Sequence, residues 1–323
     1  DILFTFGPGF PFFLSNFIRI FGESPFPILG SQVILSSLSC ALIYRLSLQL
    51  LYDYVTARIA GLLATLSVTS ITLSCLILSD TFFYFVFLLS LTIFIDAVRM
   101  GTWWRFVTAG ILLGIATLTR SVSQFWIIPL MVIAMGLVRQ ARLVAPGSHV
   151  HPSLKLAKPL FTFALLALLP IIGWMIRNGV INDVYALAMT NASGPANVTS
   201  LALQAKTGRN FRDVQADWFA EAKSKMGKSE LSLAETYEVM TSESFAEIRR
   251  DWCGVVRAYT NLVWENVRDR DYLNEVLWPQ PDSLARTLVR TLNRGSLSLW
   301  LALAGLGILV IQKRTLPAVI LVS

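Results

Sequence analysis

Seven predominantly apolar runs divide the chain, at roughly 28–48, 57–77, 81–98, 103–119, 123–138, 159–176 and 296–311. Each approaches the roughly 20 residues that a helix needs to cross a bilayer core of about 30 Å. No water reaches the backbone in that core, so each run has to satisfy its own N–H and C=O groups, which a helix does. The runs predict an all-α polytopic membrane protein. A further apolar run starts at Pro317 and reaches Ser323, and the chain opens at Asp1 without an initiator Met. It reads as a piece of a longer protein.

Charge is scarce and unevenly placed. Hydrophobic residues make up 54% of the chain, charged residues 15%, and the mean hydropathy is +0.61; soluble domains carry about 25% charged residues. The net charge of +7 is not a nucleic-acid signal. The stretch 178–295 is nearly neutral, with fourteen Lys and Arg against fifteen Asp and Glu. Most of the thirteen basic residues outside it flank the apolar runs, which makes the excess a matter of membrane topology. Cys40 and Cys75 lie inside apolar runs, and Cys253 is alone in the neutral stretch, so no disulfide can form within that stretch. With only His149 and His151 besides, no zinc spacing is present.

The positive-inside rule gives an orientation. Arg45 and Arg58, then Arg99 and Arg105, then Arg139, Arg142, Lys155 and Lys158, and finally Lys313 and Arg314 fall on alternate turns, so all can be cytoplasmic together. The opposite set is then extracytoplasmic: residues 1–27, the Ser79–Asp80 turn, the Thr119–Ser123 turn, and 178–295. The expected organisation is an outer loop and juxtamembrane segment (1–27), a bundle of about six helices (28–177), an extracytoplasmic domain (178–295) and C-terminal membrane helices (296–323).

Four outer segments carry the candidate chemistry. They are the Pro8, Gly9, Pro11 turn, Asp80 in LSDTFF, Arg120 in LTRSVS, and Arg177–Asn178 at the end of GWMIRN. Taken singly, each has an ordinary reading: Asp80 and Arg120 as interfacial helix ends, Arg177 snorkelling to headgroups, the prolines as a turn and helix start. Together they point further, because two arginines on outer turns run against the positive-inside bias. An anionic ligand at that face accounts for them, and the planar guanidinium fork suits a phosphate.

The order of these pieces resembles the GT-C glycosyltransferases, in particular the dolichyl-phosphate-mannose protein mannosyltransferase-like branch that includes the lipid A aminoarabinose transferases. PGFPFFLSNFIRIFG is similar to that family's PPGYPLxLAxxxxLFG loop, and LSDTFF to its L-S-E/D-P-L-F turn. LLGIATLTRSVSQFWIIP resembles LLGLAxLTRPxxLLLLP, and LLPIIGWMIRNGV resembles LLPWxxRNxx. The likeness covers roughly residues 7–200, and more weakly runs to 266.

That resemblance implies a GT-C-like bundle with a mainly helical outer domain. It implies transfer of a sugar from a polyprenyl-phosphate-linked donor to a protein, lipid or glycan acceptor, with inversion at the anomeric carbon. Arg120, Arg177 and Asn178 would meet the donor phosphate. Asp80 would be a second acidic site that orients the sugar, the acceptor or a metal, and Pro8, Gly9 and Pro11 would shape the floor. The family's catalytic acid lies some 25–35 residues before the motif that matches Gly7–Pro11, so the base is expected upstream of this chain. A divalent metal ion is the one cofactor left open. The bilayer is the other partner. The expected location is a bacterial inner membrane with the site facing the periplasm, the alternative being the endoplasmic reticulum.

The stretch 178–295 shows helical patterns at 213–226 and 233–267, a WPQPDS break at 278–283, and glycosylation sequons at Asn191 and Asn197. Trp218, Trp252 and Trp264 at helical spacing read as core or interface anchors. Two other classes compete with an enzyme. A transporter or flippase of a lipid-linked anion predicts polar groups near the bilayer midplane, whereas the charges here gather at one face. A non-catalytic scaffold predicts no use for the outer arginines.

Overall fold

The computed structural model describes Phe4, residues 7–144 and residues 152–268. The expected spans at 296–311 and beyond Pro317, the WPQPDS break and both histidines lie outside the described residues. All regular structure among the described residues is helical. It divides into two compact units, one over residues 7–172 and one from Gly173 onward together with Phe4.

The first unit contains α1 (Gly9–Phe21), α2 (Pro25–Leu51), α3 (Tyr54–Thr65), α4 (Val68–Ser74), α5 (Ser79–Met100), α6 (Trp103–Thr119) and α7 (Ile127–Val144). A 3-10 turn, Ser121–Trp126, leads into α7. The long helix α8 (Pro152–Asn182) begins in this unit. Local signals set the ends. Pro25 opens α2 with Ser24 as N-cap, and Tyr52 closes it in the left-handed conformation (φ 56°). Asp53 then caps α3, its carboxylate accepting from the Thr56 N–H at 2.9 Å. Gly101 (φ +66°) stops α5 in the left-handed geometry that glycine adopts without strain.

Among the described residues three helices are long and apolar enough to cross a membrane: Pro25–Leu51, Ser79–Met100 and, within α8, Ala157–Asn182. The single span expected at 57–77 is two short helices instead. The break falls at Leu66–Ser67, where the Ser67 hydroxyl accepts from the Ser70 N–H (3.4 Å) and starts a new helix. The apolar count gave no warning, since Ser and Thr interrupt a helix through local hydrogen bonds without lowering hydropathy much.

The core lies between α5, α6, α7 and α8. Phe94 packs on Phe106 edge to face (5.9 Å between centroids) and on Phe163 (4.5 Å), with Leu113, Leu130 and Ala167 buried around them. Close approach of α6 and α8 depends on Gly110 and Gly114. A Cβ on Gly110 would stand 2.6 Å from the Phe163 carbonyl oxygen, and one on Gly114 would meet the Pro170 ring at 2.5 Å. This is the small-residue spacing that lets membrane helices pack by van der Waals contact where no hydrophobic drive separates helix from lipid.

One charge cluster sits near the C-terminal end of α5. Asp96 pairs with Arg45 at 2.6 Å and accepts from Gln49 Nε2 at 2.6 Å. Arg99 donates to the Gln49 carbonyl and lies over the Tyr52 ring, 4.6 Å from its centroid. Asp80 occupies the first turn of the same 22-residue helix, so the two acids are separated by about 24 Å at 1.5 Å per residue.

The second unit holds the end of α8, α9 (Thr190–Thr207), α10 (Phe211–Met226), α11 (Leu233–Arg250) and α12 (Trp252–Arg268). The stretch 233–267, expected as one helical pattern, is broken at Asp251, whose carboxylate accepts from the Gly254 N–H (2.8 Å) and caps α12. Ser232 and Glu235 form a capping box on α11. Phe4 packs with Val184, Ala186, Met189 and Tyr237, and its carbonyl accepts from the Met189 N–H at 2.9 Å. Lys206 ties the end of α9 to Glu247 and Asp251, both at 2.7 Å. Those two carboxylates, Asp251 first, raise the Lys206 pKa. Lys206, helped by the Gly254 N–H, in turn lowers that of Asp251. The sequon residue Asn197 lies on α9, where its Oδ1 accepts from Gln215 Nε2 (3.0 Å) and Thr199 is fully buried.

Candidate functional site

Three segments of the first unit converge on one point. The chain enters α1 through Gly7–Pro8–Gly9, which lies flat against the end of α6. Gly7 has φ +78°, and a Cβ there would stand 2.7 Å from the Leu118 carbonyl oxygen; one on Gly9 would stand 2.7 Å from the Thr119 backbone nitrogen. Both positions need glycine, Gly7 for its backbone angle and Gly9 for space. Pro8 serves as the α1 N-cap, its carbonyl accepting from the Phe12 N–H at 3.0 Å, and Pro11 occupies the first turn. The GPGFP segment thus forms a floor under Thr119.

Arg120 follows directly. It is the C-cap of α6 in an extended conformation, with its N–H bonded to the Ala116 carbonyl (2.9 Å) and its carbonyl accepting from the Ser123 N–H (3.2 Å). Buried hydroxyls brace the turn: Ser123 donates to Thr117 Oγ1 (2.9 Å), and Thr117 donates to the Leu113 carbonyl (2.8 Å). The backbone beneath Arg120 is therefore held on both sides, while its side chain reaches out.

That side chain meets Asp80. Arg120 Nη1 donates to Asp80 Oδ1, and the guanidinium lies 5.9 Å from the Phe83 ring centroid. Helix geometry favours both charges, an acid in the first turn of α5 and a cation at the end of α6. The side chains stay 44% and 34% exposed for Arg120 and Asp80, so the pair is accessible and worth about 0–1 kcal/mol. An incoming oxyanion can therefore compete for the guanidinium. Asp80, Arg120, Gly9 and Pro8, anticipated from separate motifs, are brought together here.

Arg177 and Asn178 belong to the second unit. Arg177 Nη1 donates to Asn178 Oδ1 (3.0 Å), and its guanidinium lies over the Trp174 ring, 4.7 Å from the centroid. Asn178 is fully buried, and its amide donates to the Ala186 (2.8 Å) and Leu187 (3.2 Å) carbonyls. Its amide is spent on folding the chain back after α8, and its carbonyl oxygen on orienting Arg177.

Among the described residues no three of His, Cys, Asp and Glu converge in a way that could hold a metal ion. The Asp80 carboxylate, already engaged by Arg120, makes a poor start for a cation site. The aromatic ring at Phe83, the Thr117 and Ser123 braces and Trp174 were not singled out from the sequence. Trp174 was the most readable of them, lying one helical turn before Arg177.

The chain matches the protein family described as dolichyl-phosphate-mannose-protein mannosyltransferase over residues 6–176. No match is found among curated proteins or among solved structures. The matched region takes in the GPGFP floor, the Asp80 turn, the Arg120 turn and most of α8. It covers just over half of the chain. The chain belongs to the dolichyl-phosphate-mannose-protein mannosyltransferase family.

Proposed function

We propose that the protein transfers a sugar from a polyprenyl-phosphate donor to an acceptor hydroxyl at the non-cytoplasmic face of its membrane, with inversion. The observation that carries this reading is the Asp80–Arg120 pair, set on the glycine floor at the end of α5 opposite the Arg45–Asp96–Arg99 cluster. Placing the basic turns in the cytoplasm puts Asp80 and Arg120 outside, in the periplasm of a bacterial cell or the lumen of an endoplasmic reticulum.

In the reaction, the acceptor oxygen attacks the anomeric carbon, the bond from that carbon to the phosphate oxygen breaks, and the polyprenyl phosphate leaves. Negative charge grows on the departing phosphate. A guanidinium already fixed at its backbone stabilises that charge without reorganising. We assign this role to Arg120. Arg177, steadied by Trp174 and Asn178, is assigned separately as a contact to a lipid phosphate on its own unit, to be tested by its own substitution. Asp80 is assigned to orienting the sugar or the acceptor hydroxyl once the phosphate has drawn Arg120 away. The hydroxyl proton passes to a general base, a role the family resemblance gives to an acid ahead of Gly7 and not to Asp80. Pro8, Gly9 and Pro11 shape the floor.

The test is a transfer assay with polyprenyl-phosphate mannose and the protein in lipid nanodiscs. Release of polyprenyl phosphate that depends on Arg120 supports the reading. Movement of the intact donor between leaflets, without cleavage, would replace it with a flippase.

A further inference from the structure

The neighbourhood of Asp80 contains a fully buried amide that the reading above does not use. Gln32 lies two turns into α2 and is 0% exposed. Its Nε2 donates to the Leu78 carbonyl at 3.3 Å, across 46 residues of sequence, and its Oε1 has no partner. A fully buried glutamine with an unspent acceptor burdens the fold, more so within a membrane bundle.

The bond it does make is also not needed to satisfy Leu78. That residue is the N-cap of α5, and an N-cap carbonyl already accepts the first intrahelical hydrogen bond. What the second bond adds is position. Leu78 provides no side-chain cap, so the first turn of α5 is prone to fray, and Asp80 lies in that turn. Gln32 pins its start from the neighbouring helix.

We infer that Gln32 is a positioning residue that holds the first turn of α5, and with it the Asp80 carboxylate, against Arg120. The inference rests on the reading of Arg120 as a phosphate ligand. In that reading Asp80 competes with the phosphate for the guanidinium, so anything that loosens Asp80 frees Arg120 for an anion.

The experiment measures the affinity of farnesyl phosphate for the whole protein in nanodiscs of uncharged phosphatidylcholine. Asp80→Asn removes the competitor and tightens binding by about fivefold, the upper end for a partly exposed pair. Gln32→Met copies part of that effect, tightening binding by about threefold on the same scale. In the Gln32→Met background Asp80→Asn then adds less than about twofold, the remainder of its effect, because residues acting through one another are not additive. The melting temperature of Gln32→Met stays level or rises, since a buried unsatisfied acceptor is removed. Gln32→Asn, whose shorter amide cannot reach Leu78, gives the same sign and stands in should Gln32→Met not fold.

A purely structural brace predicts otherwise: a lower melting temperature, unchanged or weaker binding, and an undiminished Asp80→Asn effect in both backgrounds. That result overturns the inference alone, provided Arg120→Ala weakens binding. Should Arg120→Ala bind farnesyl phosphate as the native protein does, the phosphate reading falls and the inference falls with it.

Discussion

Gly9 lies against Thr119 so closely that a single added Cβ would stand 2.7 Å from the Thr119 backbone nitrogen and 2.8 Å from its Cα. The contact joins the start of α1 to the end of α6, one residue before Arg120. Overpacking against backbone cannot be relieved by a rotamer change. Gly9→Val therefore costs about 1–3 kcal/mol of stability and displaces the Arg120 turn. Melting in detergent checks the first effect, and farnesyl phosphate affinity the second.

Gly110 and Gly114 set the spacing of α6 and α8, with no part in the chemistry. Gly110→Val drives a branched side chain into the Phe163 carbonyl. It lowers stability by about 1–3 kcal/mol. Protein that remains folded should still bind phosphate, which separates this effect from that of Gly9→Val.

Asn178 is expected to act through the fold and through Arg177. Asn178→Ala leaves the Ala186 and Leu187 carbonyls without their side-chain donor, at a cost of about 1–3 kcal/mol. It also releases Arg177 from Asn178 Oδ1. A variant with native melting temperature would contradict the buried role given to this residue.

Acid should loosen the second unit. The Asp251 and Glu235 carboxyls are held below their usual range, chiefly by Lys206 and Lys228. A lowered pKa in the fold means stability that is complete above the ordinary carboxylate range and is lost as pH falls through it. Lys206, raised chiefly by Asp251, works at the other end: its contribution is complete below the ordinary lysine range and lost as pH rises through the raised value. Melting followed from acid to neutral pH should show the decline on the acid side. Asp251→Asn should make that decline shallower.

Much of this was legible in the sequence. Apolar runs give α2, α5 and the membrane part of α8 because length and hydropathy alone specify them. Asp80 and Arg120 stood out as charges on short turns where the positive-inside bias disfavours the arginine. The break at Ser67 did not stand out, because a serine cap hardly alters hydropathy. Asp251 was hidden for a similar reason, as an acid inside an amphipathic pattern looks like one more polar-face residue until its side chain is seen to cap Gly254. Gln32 and the Gly110–Gly114 pair are polar or small residues whose importance depends on what a second helix places beside them. No period within one helix reveals that.

The central claim is that Arg120 is the phosphate ligand at this face, and farnesyl phosphate binding in uncharged nanodiscs tests it directly, with inorganic phosphate as the second probe. Losing the charge-assisted hydrogen bonds in Arg120→Ala should weaken farnesyl phosphate binding about 10- to 100-fold, with the melting temperature nearly unchanged and inorganic phosphate bound far less well than the lipid by the native protein. Native affinity in Arg120→Ala would contradict the account.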